Sequence, residues 1–431
     1  MPEGSVPTFE VPHAVLDIAR RLEEAGHETW CVGGAVRDAL LGIPHLDWDL
    51  ATAATPPQVR RLFRRTIPVG EAFGTIAVLD PSGTPHEVTT FRHDVRTDGR
   101  HAEVEFGASL DEDLARRDFT INAMAWSPSR RLLHDPFGGR ADLARRVVAA
   151  VGDPRRRMAE DRLRALRALR FAGRFDFTIA PATWDAIVES APALHRLSKE
   201  RVQQELVKTL EQVREPGRSL RLWSRSGALR ELLPALAAAP PSVLEAADGL
   251  ALPDASSDAG IARRRTLVRL GAILTGLGRD DVVGLLTGLR FSNRDVQRLA
   301  HATTVAHALR PALIAAAPVT DITLRHWASQ AGRADLADTL RMAMAAPRRA
   351  ATRAWCGLYR RSIRCAYRDP VEISDLVVDG EDLMQGAGVV PGPRLGEVLR
   401  ALRDFVLEDP ARNDREVLLA RARELASASQ R

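Results

Sequence analysis

Four groups of residues in the first third of the chain have the types and spacing to handle phosphates and metal ions. The first, Gly33-Gly34-Ala35-Val36-Arg37-Asp38, lies between the strand-like Thr29-Trp30-Cys31-Val32 and a helical segment from Ala35 to Leu41. Paired glycines let backbone N–H groups approach a phosphate chain, the helix start adds a favourable dipole, and Arg37 can fork onto phosphate oxygens. The second is Asp47-Trp48-Asp49, expected inside a strand from Leu46 to Ala51. Side chains two apart in a strand share a face, so both carboxylates can share hard cations. Two Mg2+ ions roughly 4 Å apart would activate an attacking hydroxyl, hold a triphosphate and offset charge on departing pyrophosphate. Asp47 and Asp49 are therefore candidate catalytic metal ligands, and Glu87, third of the groups, either completes their site or stabilises a strand edge. The fourth, Arg116-Arg117-Asp118-Phe119-Thr120-Ile121-Asn122-Ala123-Met124-Ala125, follows a helix start where Ser109 and Glu112 have capping-box spacing. Asp118 can accept a hydrogen bond from a ribose 2′-OH and Arg117 can contact sugar or phosphate, which would select ribonucleotides.

Further along, Ala159 to Phe171 is expected to form one strong helix. Leu163, Leu166 and Leu169 repeat every three residues, as do Arg164, Arg167 and Arg170. Asp161 and Arg164 can present an acceptor and several donors to one base. Cytosine and adenine show an amino donor beside a ring-nitrogen acceptor, whereas uracil and guanine reverse that pattern, so such a pair accepts C and A and rejects U and G.

These residues need a scaffold, and the first 152 residues mix strand and helix periods. A helix over Val11 to Ala25 ends at Gly26, another over Pro57 to Phe63 follows the Thr55-Pro56 cap signal, and 74–79 with 86–91 form a hairpin across Pro81-Ser82-Gly83. Beyond Gly152-Asp153-Pro154 the strand signals stop, and Leu, Ala and Arg at helical spacing predict an all-α remainder. Ala237 to Gly260 reads as a flexible connection and Ala346-Pro347 as a further break. The expected fold is an α/β head over 1–152. An all-α neck (153–215), body (216–345) and tail (346–431) would follow it.

The chain has 431 residues, with 61 Lys plus Arg against 56 Asp plus Glu and a net charge of +5. Only Lys199 and Lys208 are lysines, so arginine supplies nearly all positive charge, which permits but does not demand nucleic-acid binding. Cys31, Cys356 and Cys365 lack the paired spacing of a zinc site or disulfide framework, and no apolar stretch has signal-peptide or transmembrane length. A cytoplasmic protein away from membranes is expected, with no protein partner implied.

Taken in order, Gly-Gly-x-Val-Arg-Asp, Asp-x-Asp, Arg-Arg-Asp-Phe-Thr-x-Asn-Ala, Asp135-Pro136-Phe137-Gly138-Gly139 and Glu160-Asp161-x-x-Arg164 resemble class II CCA-adding tRNA nucleotidyltransferases and their bacterial poly(A) polymerase relatives. The resemblance is dense from residue 30 to about 210. It implies that the head is an α/β nucleotidyltransferase head with a polymerase-β-like mixed sheet, and that Asp161 and Arg164 make a protein template, with Arg167 and Arg170 contributing to nucleotide and phosphate binding. Gly33, Gly34, Arg37, Arg117, Asp118 and Asn122 are carried over as nucleotide-binding. It further implies Mg2+ as cofactor, CTP and ATP as substrates, and tRNA as partner. Ser198 to Lys208 resembles a helix that braces the template helix, and Asp375 to Met384 with Gly392-Pro393-Arg394-Leu395-Gly396 resembles a tRNA-holding tail. The polar stretch 91–106, with Asp98-Gly99-Arg100, resembles the flexible loop absent from CC-adding relatives. That favours competence for the terminal A, leaving open an A-adding enzyme, a poly(A) polymerase or, more remotely, a silent RNA-binding protein. His93-Asp94 and His134-Asp135 fall outside any helical metal-phosphohydrolase pattern, so no such activity is expected.

Overall fold

The computed structural model describes residues 9–44, 47–97, 102–250, 252, 258–314, 318–345 and 352–428. The β-rich N-terminal segments assemble one seven-stranded mixed sheet, in the spatial order Thr66–Gly70, Thr75–Leu79, Pro85–Thr90, Asp49–Thr52, Thr29–Val32, Ala125–Ser127, Leu132–His134. Only Asp49–Thr52 and Pro85–Thr90 run parallel; the other neighbours are antiparallel. One face buries Trp30, Val32, Ala51, Phe91, Leu110, Leu114, Ala123 and Ala125 together. Helix His13–Glu24 turns Val15, Ile18, Ala19 and Leu22 inward, and helix Pro56–Leu62 starts at a Thr55–Gln58 capping box with proline in its first turn.

Four expectations change here. The strand expected to carry the Asp pair begins at Asp49, so Asp47 and Trp48 precede it. Residues 91–106 hold a second antiparallel hairpin, Arg92–Thr97 with Ala102–Phe106, while Asp98-Gly99-Arg100 lie outside the described residues. The chain after 152 is not wholly helical, because Thr178–Ile179 pairs in parallel with Val147–Val148. Finally, the expected continuous helix is two, Pro154–Glu160 and Leu163–Phe175, broken at Asp161, whose φ of −144° and ψ of 105° are extended.

By internal contacts the chain divides into one unit of Met1–Arg214 with Arg218–Pro234, and another of Glu215–Gly217 with Ala235–Arg431. The second is built of helices, including Ala259–Leu274, Asn293–Ile314, Asp321–Ala331 and Thr352–Arg368. Within it, Val378, Leu383, Val389, Val398, Leu402, Val406, Leu418 and Ala422 form a core of their own near the C-terminus. Arg325, nearly buried, donates to the carbonyls of Leu407 and Glu408 at the end of helix Pro393–Glu408 and pairs with Asp369 at 3.2 Å. A guanidinium at a helix C-terminus satisfies carbonyls that have no intrahelical donor. Among the described residues no helix is long and apolar enough to cross a membrane.

Candidate active site

Sheet register gathers the chemistry-bearing residues at one end of the central strands. Val32, the last residue before Gly33, lies opposite Asp49, and Leu50 lies opposite Val88, next to Glu87. Trp48 is 1% exposed and packs against Phe9 and Trp126, with ring centroids at 6.0 and 6.4 Å. Because extended side chains alternate, burying that indole sends Asp47 and Asp49 to the opposite face. Asp47 and Glu87 are exposed and Asp49 is partly buried. Burial, then the like charges of Asp47 and Glu87, push the Asp49 carboxyl up to about 6, while Arg117 opposes them. Asp49 therefore lies within electrostatic range of Asp47, Glu87 and Arg117. A divalent cation would relieve exactly this repulsion, so the donor set fits a hard metal. Among the described residues no three acidic, His or Cys side chains close a cage unaided. An open site suits Mg2+, which keeps water and substrate phosphates in its shell.

Arg117 also lies against Gly33, where a Cβ would come within 2.8 Å of its Nη1. Gly33 has φ +75° and caps helix Gly34–Leu40, so its lack of a side chain serves both conformation and space. Arg117 donates to Asp113 at 3.1 Å. It is also the guanidinium whose charge acts on Asp49.

Arg37 departs from its expected role. It is 3% exposed, donates to Asp38 at 2.7 Å and Asn122 at 2.5 Å, and stacks near Phe171 and Phe175. Burial lowers its pKa, with Asp38 partly compensating. Asn122 in turn donates to Asp118 at 2.9 Å, and Asp118 accepts from the backbone N–H of Phe119 and from Arg167, both at 2.8 Å. Burial alone would raise Asp118, but Arg167, Asn122 and that N–H outweigh it and hold the carboxyl below its usual range. The glycine turn, the Arg-Arg-Asp motif and the arginine helix are thus joined through one buried polar chain, Arg37–Asn122–Asp118–Arg167. Arg174 extends the linkage to Asp38 at 3.2 Å.

Asp161 and Arg164 stand at the helix break but are not paired through their side chains. Asp161 accepts the N–H of Leu163 at 3.0 Å and holds Arg201 at 2.8 and 3.0 Å. Arg164 donates to Glu160 at 2.9 Å and to the carbonyls of Arg116 and Arg157 at 2.8 and 3.1 Å. Arg170, expected at a phosphate, is instead 3% exposed and donates to Glu205 at 2.8 Å and Gln212 at 3.0 Å. Its guanidinium is consumed in helix packing. Sequence reading missed Arg201 and Glu205 as partners, although both lie four apart on helix Lys199–Gln212, with signs complementary to Asp161 and Arg170.

The CCA-adding enzyme of Limosilactobacillus fermentum is 34% identical over 429 residues, covering 97% of this chain and 98% of its own. The chain belongs to the CCA-adding enzyme family. Models for the poly(A) polymerase head domain, the polymerase A RNA and SrmB binding site, and tRNA nucleotidyltransferase domain 2 match residues 29–149, 176–239 and 271–422. The CCA-adding enzyme of Bacillus subtilis is 47% identical over 198 residues, 46% of this chain and 49% of its own. The crystal structure of the Bacillus stearothermophilus CCA-adding enzyme in complex with CTP superposes with a TM-score of 0.77 at 30% identity, covering 97% of this chain and 98% of that one. The Thermotoga maritima enzyme complexed with tRNA shares the fold, at a TM-score of 0.65 and 22% identity over 97% of this chain and 96% of that one. As a CCA-adding enzyme family member, the chain is a nucleotidyltransferase of a class that uses divalent metal ions.

Proposed function

We propose that the chain adds CMP and AMP, from CTP and ATP, to the 3′ end of tRNA without a nucleic-acid template, using two Mg2+ ions. The observation that carries this reading is the Asp49 carboxyl, raised by the like charges of Asp47 and Glu87 and opposed by Arg117, whose guanidinium lies against Gly33. In that reading Asp47 and Asp49 hold the ions, Glu87 adds negative field beside them, and Arg117 with the backbone at Gly33-Gly34 receives the triphosphate. Bound Mg2+ supplies a more acidic RNA hydroxyl and neutralises charge on the phosphates. The RNA 3′ oxygen bonds to the α-phosphorus as the α–β phosphoanhydride breaks and pyrophosphate leaves.

Asp118 positions Arg167 and Asn122 and offers its remaining lone pairs to a ribose hydroxyl. Asp161 and Arg164 read the base, exchanging Arg201 and Glu160 for the amino group and ring nitrogen of C or A. Arg37 and Arg170 hold the helices that present these groups. Head (1–152) and neck (153–215, apart from Glu215) fall in the first compact unit and body (216–345) and tail (346–431) mostly in the second, and the enzyme acts in the cytoplasm beside its tRNA.

The test is to sequence the 3′ ends made on a tRNA lacking its terminus, with CTP and ATP supplied together. Addition of C, C and A followed by arrest is expected. Growth of an unlimited A tail, or addition of A only to RNA already ending in CC, would overturn the reading. Asp161→Ala should relax the choice between CTP and UTP; undiminished discrimination would remove the template role.

A further inference from the structure

A cavity of about 400 Å³ lies among helix His13–Glu24, the end of helix Pro56–Leu62 and the end of strand Thr75–Leu79. Val78, on its wall, pairs with His86, and strand alternation turns the next residue, Glu87, to the other face. The cavity thus opens on the side of the sheet away from the acidic cluster. Four arginines line it, Arg21, Arg61, Arg64 and Arg65, against two aspartates, Asp17 and Asp80. Arg21 donates to the Leu62 carbonyl at 2.6 Å and lies over the Phe63 ring at 4.3 Å, and Arg65 donates to the Asp80 carbonyl at 3.0 Å. Neutral oxygens pin both guanidiniums without compensating their charge, and each, with five donors, has others to offer. Among the described residues Arg61 and Arg64 have no ion-pair or hydrogen-bond partner, whereas neighbouring Arg60 pairs with Glu71 at 3.2 Å. The two aspartates are already engaged, Asp17 by Arg20 at 2.5 Å and Asp80 by Ser82 at 2.6 Å, the N–H of Thr84 at 2.9 Å and His86 at 3.4 Å.

We propose that this cavity binds a small polyphosphate anion, either a free phosphate chain or the same chain carried by a nucleoside, at a site separate from the catalytic one. Guanidinium forks match phosphate oxygens, and four of them against two aspartates leave a surplus of two positive charges for a multiply charged chain. Ile18, Leu62 and Val78 supply apolar wall behind the charged groups, which keeps water from competing for the donors. The cavity has the volume of a small-molecule site, whereas an RNA strand is met by a groove that tracks its backbone.

The experiment titrates the full chain with tripolyphosphate, ATP and adenosine by calorimetry, in chelator so that no divalent ion bridges phosphates to Asp47 and Asp49. Wild type is compared with R61Q/R64Q and with R60Q/R155Q, which removes the same charge from exposed arginines that are already paired, Arg60 with Glu71 and Arg155 with Glu189. Wild type should bind tripolyphosphate and ATP but not adenosine. R61Q/R64Q should lose about tenfold in affinity for both anions, and R60Q/R155Q should stay within about twofold of wild type. All three should share one melting temperature to within about a degree, because the replaced side chains are exposed. Tighter binding of ATP than of tripolyphosphate would support the nucleoside-borne chain, and equal binding the free one. Anion affinities unchanged in R61Q/R64Q, or lowered as far in R60Q/R155Q, would overturn the site. Weakened tRNA binding by R61Q/R64Q with anion binding intact would give the arginines to RNA and overturn it too, and loss of CMP incorporation in that variant would overturn its separation from the catalytic site.

Discussion

Asp49, the proposed metal ligand, is held in the fold at a cost when no cation is bound. Its carboxyl is pushed up to about 6 by burial and by two like charges. A carboxyl whose folded pKa lies above its unfolded value favours the folded state below the unfolded pKa and loses that advantage as pH rises through the folded one. Without metal, the protein should therefore lose stability between about pH 4 and about pH 6. Asp49→Asn should melt higher than wild type at pH 7.5 in a chelator, the two should converge near pH 4, and incorporation should fall below detection. A lower melting temperature for the variant at pH 7.5 would show that the carboxylate is stabilised by its surroundings. Gly33→Ala tests the neighbouring turn. At φ +75° and with Arg117 Nη1 2.8 Å from the new Cβ, it should cost about 1–2 kcal/mol of stability and raise the KM for CTP more than it lowers kcat. Residue types and spacing made the acidic pair and the glycine turn legible in sequence. The buried state of Arg37 was not, because a guanidinium beside glycines reads identically whether it faces a phosphate or Asn122.

At the level of elements, helix Lys199–Gln212 grips the break at Asp161 and the helix Leu163–Phe175 that follows it through two oppositely oriented pairs, Asp161 with Arg201 and Arg170 with Glu205. These predict different outcomes. Arg170 and Glu205 have side chains 4% and 2% exposed, so Arg170→Met alone leaves a buried unpaired carboxylate and should cost about 3–5 kcal/mol in denaturant unfolding. R170M/E205L should recover most of that loss; failure to do so would mean the pair contributes more than mutual neutralisation. Arg201, a partly exposed positioning residue, should leave stability nearly unchanged as Arg201→Gln but lower CTP-over-UTP discrimination. Its signature is a rise in kcat/KM for UTP, which a purely structural role would not produce. Hydrophobic periodicity correctly indicated the helix at Leu163–Phe175 and the hairpin at 75–90. It missed the interruption at Asp161, since the three-residue repeat runs on through the break, and it missed Thr66–Gly70, whose three central residues are exposed and offer no buried alternation.

For the molecule as a whole, all the proposed nucleotide and metal groups belong to the first compact unit and the segments that resemble a tRNA-holding tail to the second. Ligands that bind only the native state stabilise the part that binds them. Calorimetry with CTP and Mg2+ should raise the unfolding transition of the first unit preferentially, whereas tRNA should raise that of the second as well. A uniform shift with CTP would show the two units unfolding as one cooperative block. The α/β character of the first 152 residues and the helical remainder were readable from residue periods. The compact division was not, because the exchange of Glu215–Gly217 and Arg218–Pro234 between units depends on tertiary contacts that no local pattern records.

The interruption at Asp161 has a mechanical meaning. A residue in extended conformation between two helices can rotate its backbone while the 13-residue Leu163–Phe175 cylinder stays intact behind it. In the base-reading role proposed for Asp161 and Arg164, such a joint lets the acceptor advance towards a small pyrimidine or withdraw before a larger purine while the donor on the helix remains seated. A single gauge with one sliding jaw would then measure both substrates, and stiffening that joint, as by Asp161→Glu paired with Arg162→Ala to favour helix through the gap, should penalise one nucleotide far more than the other.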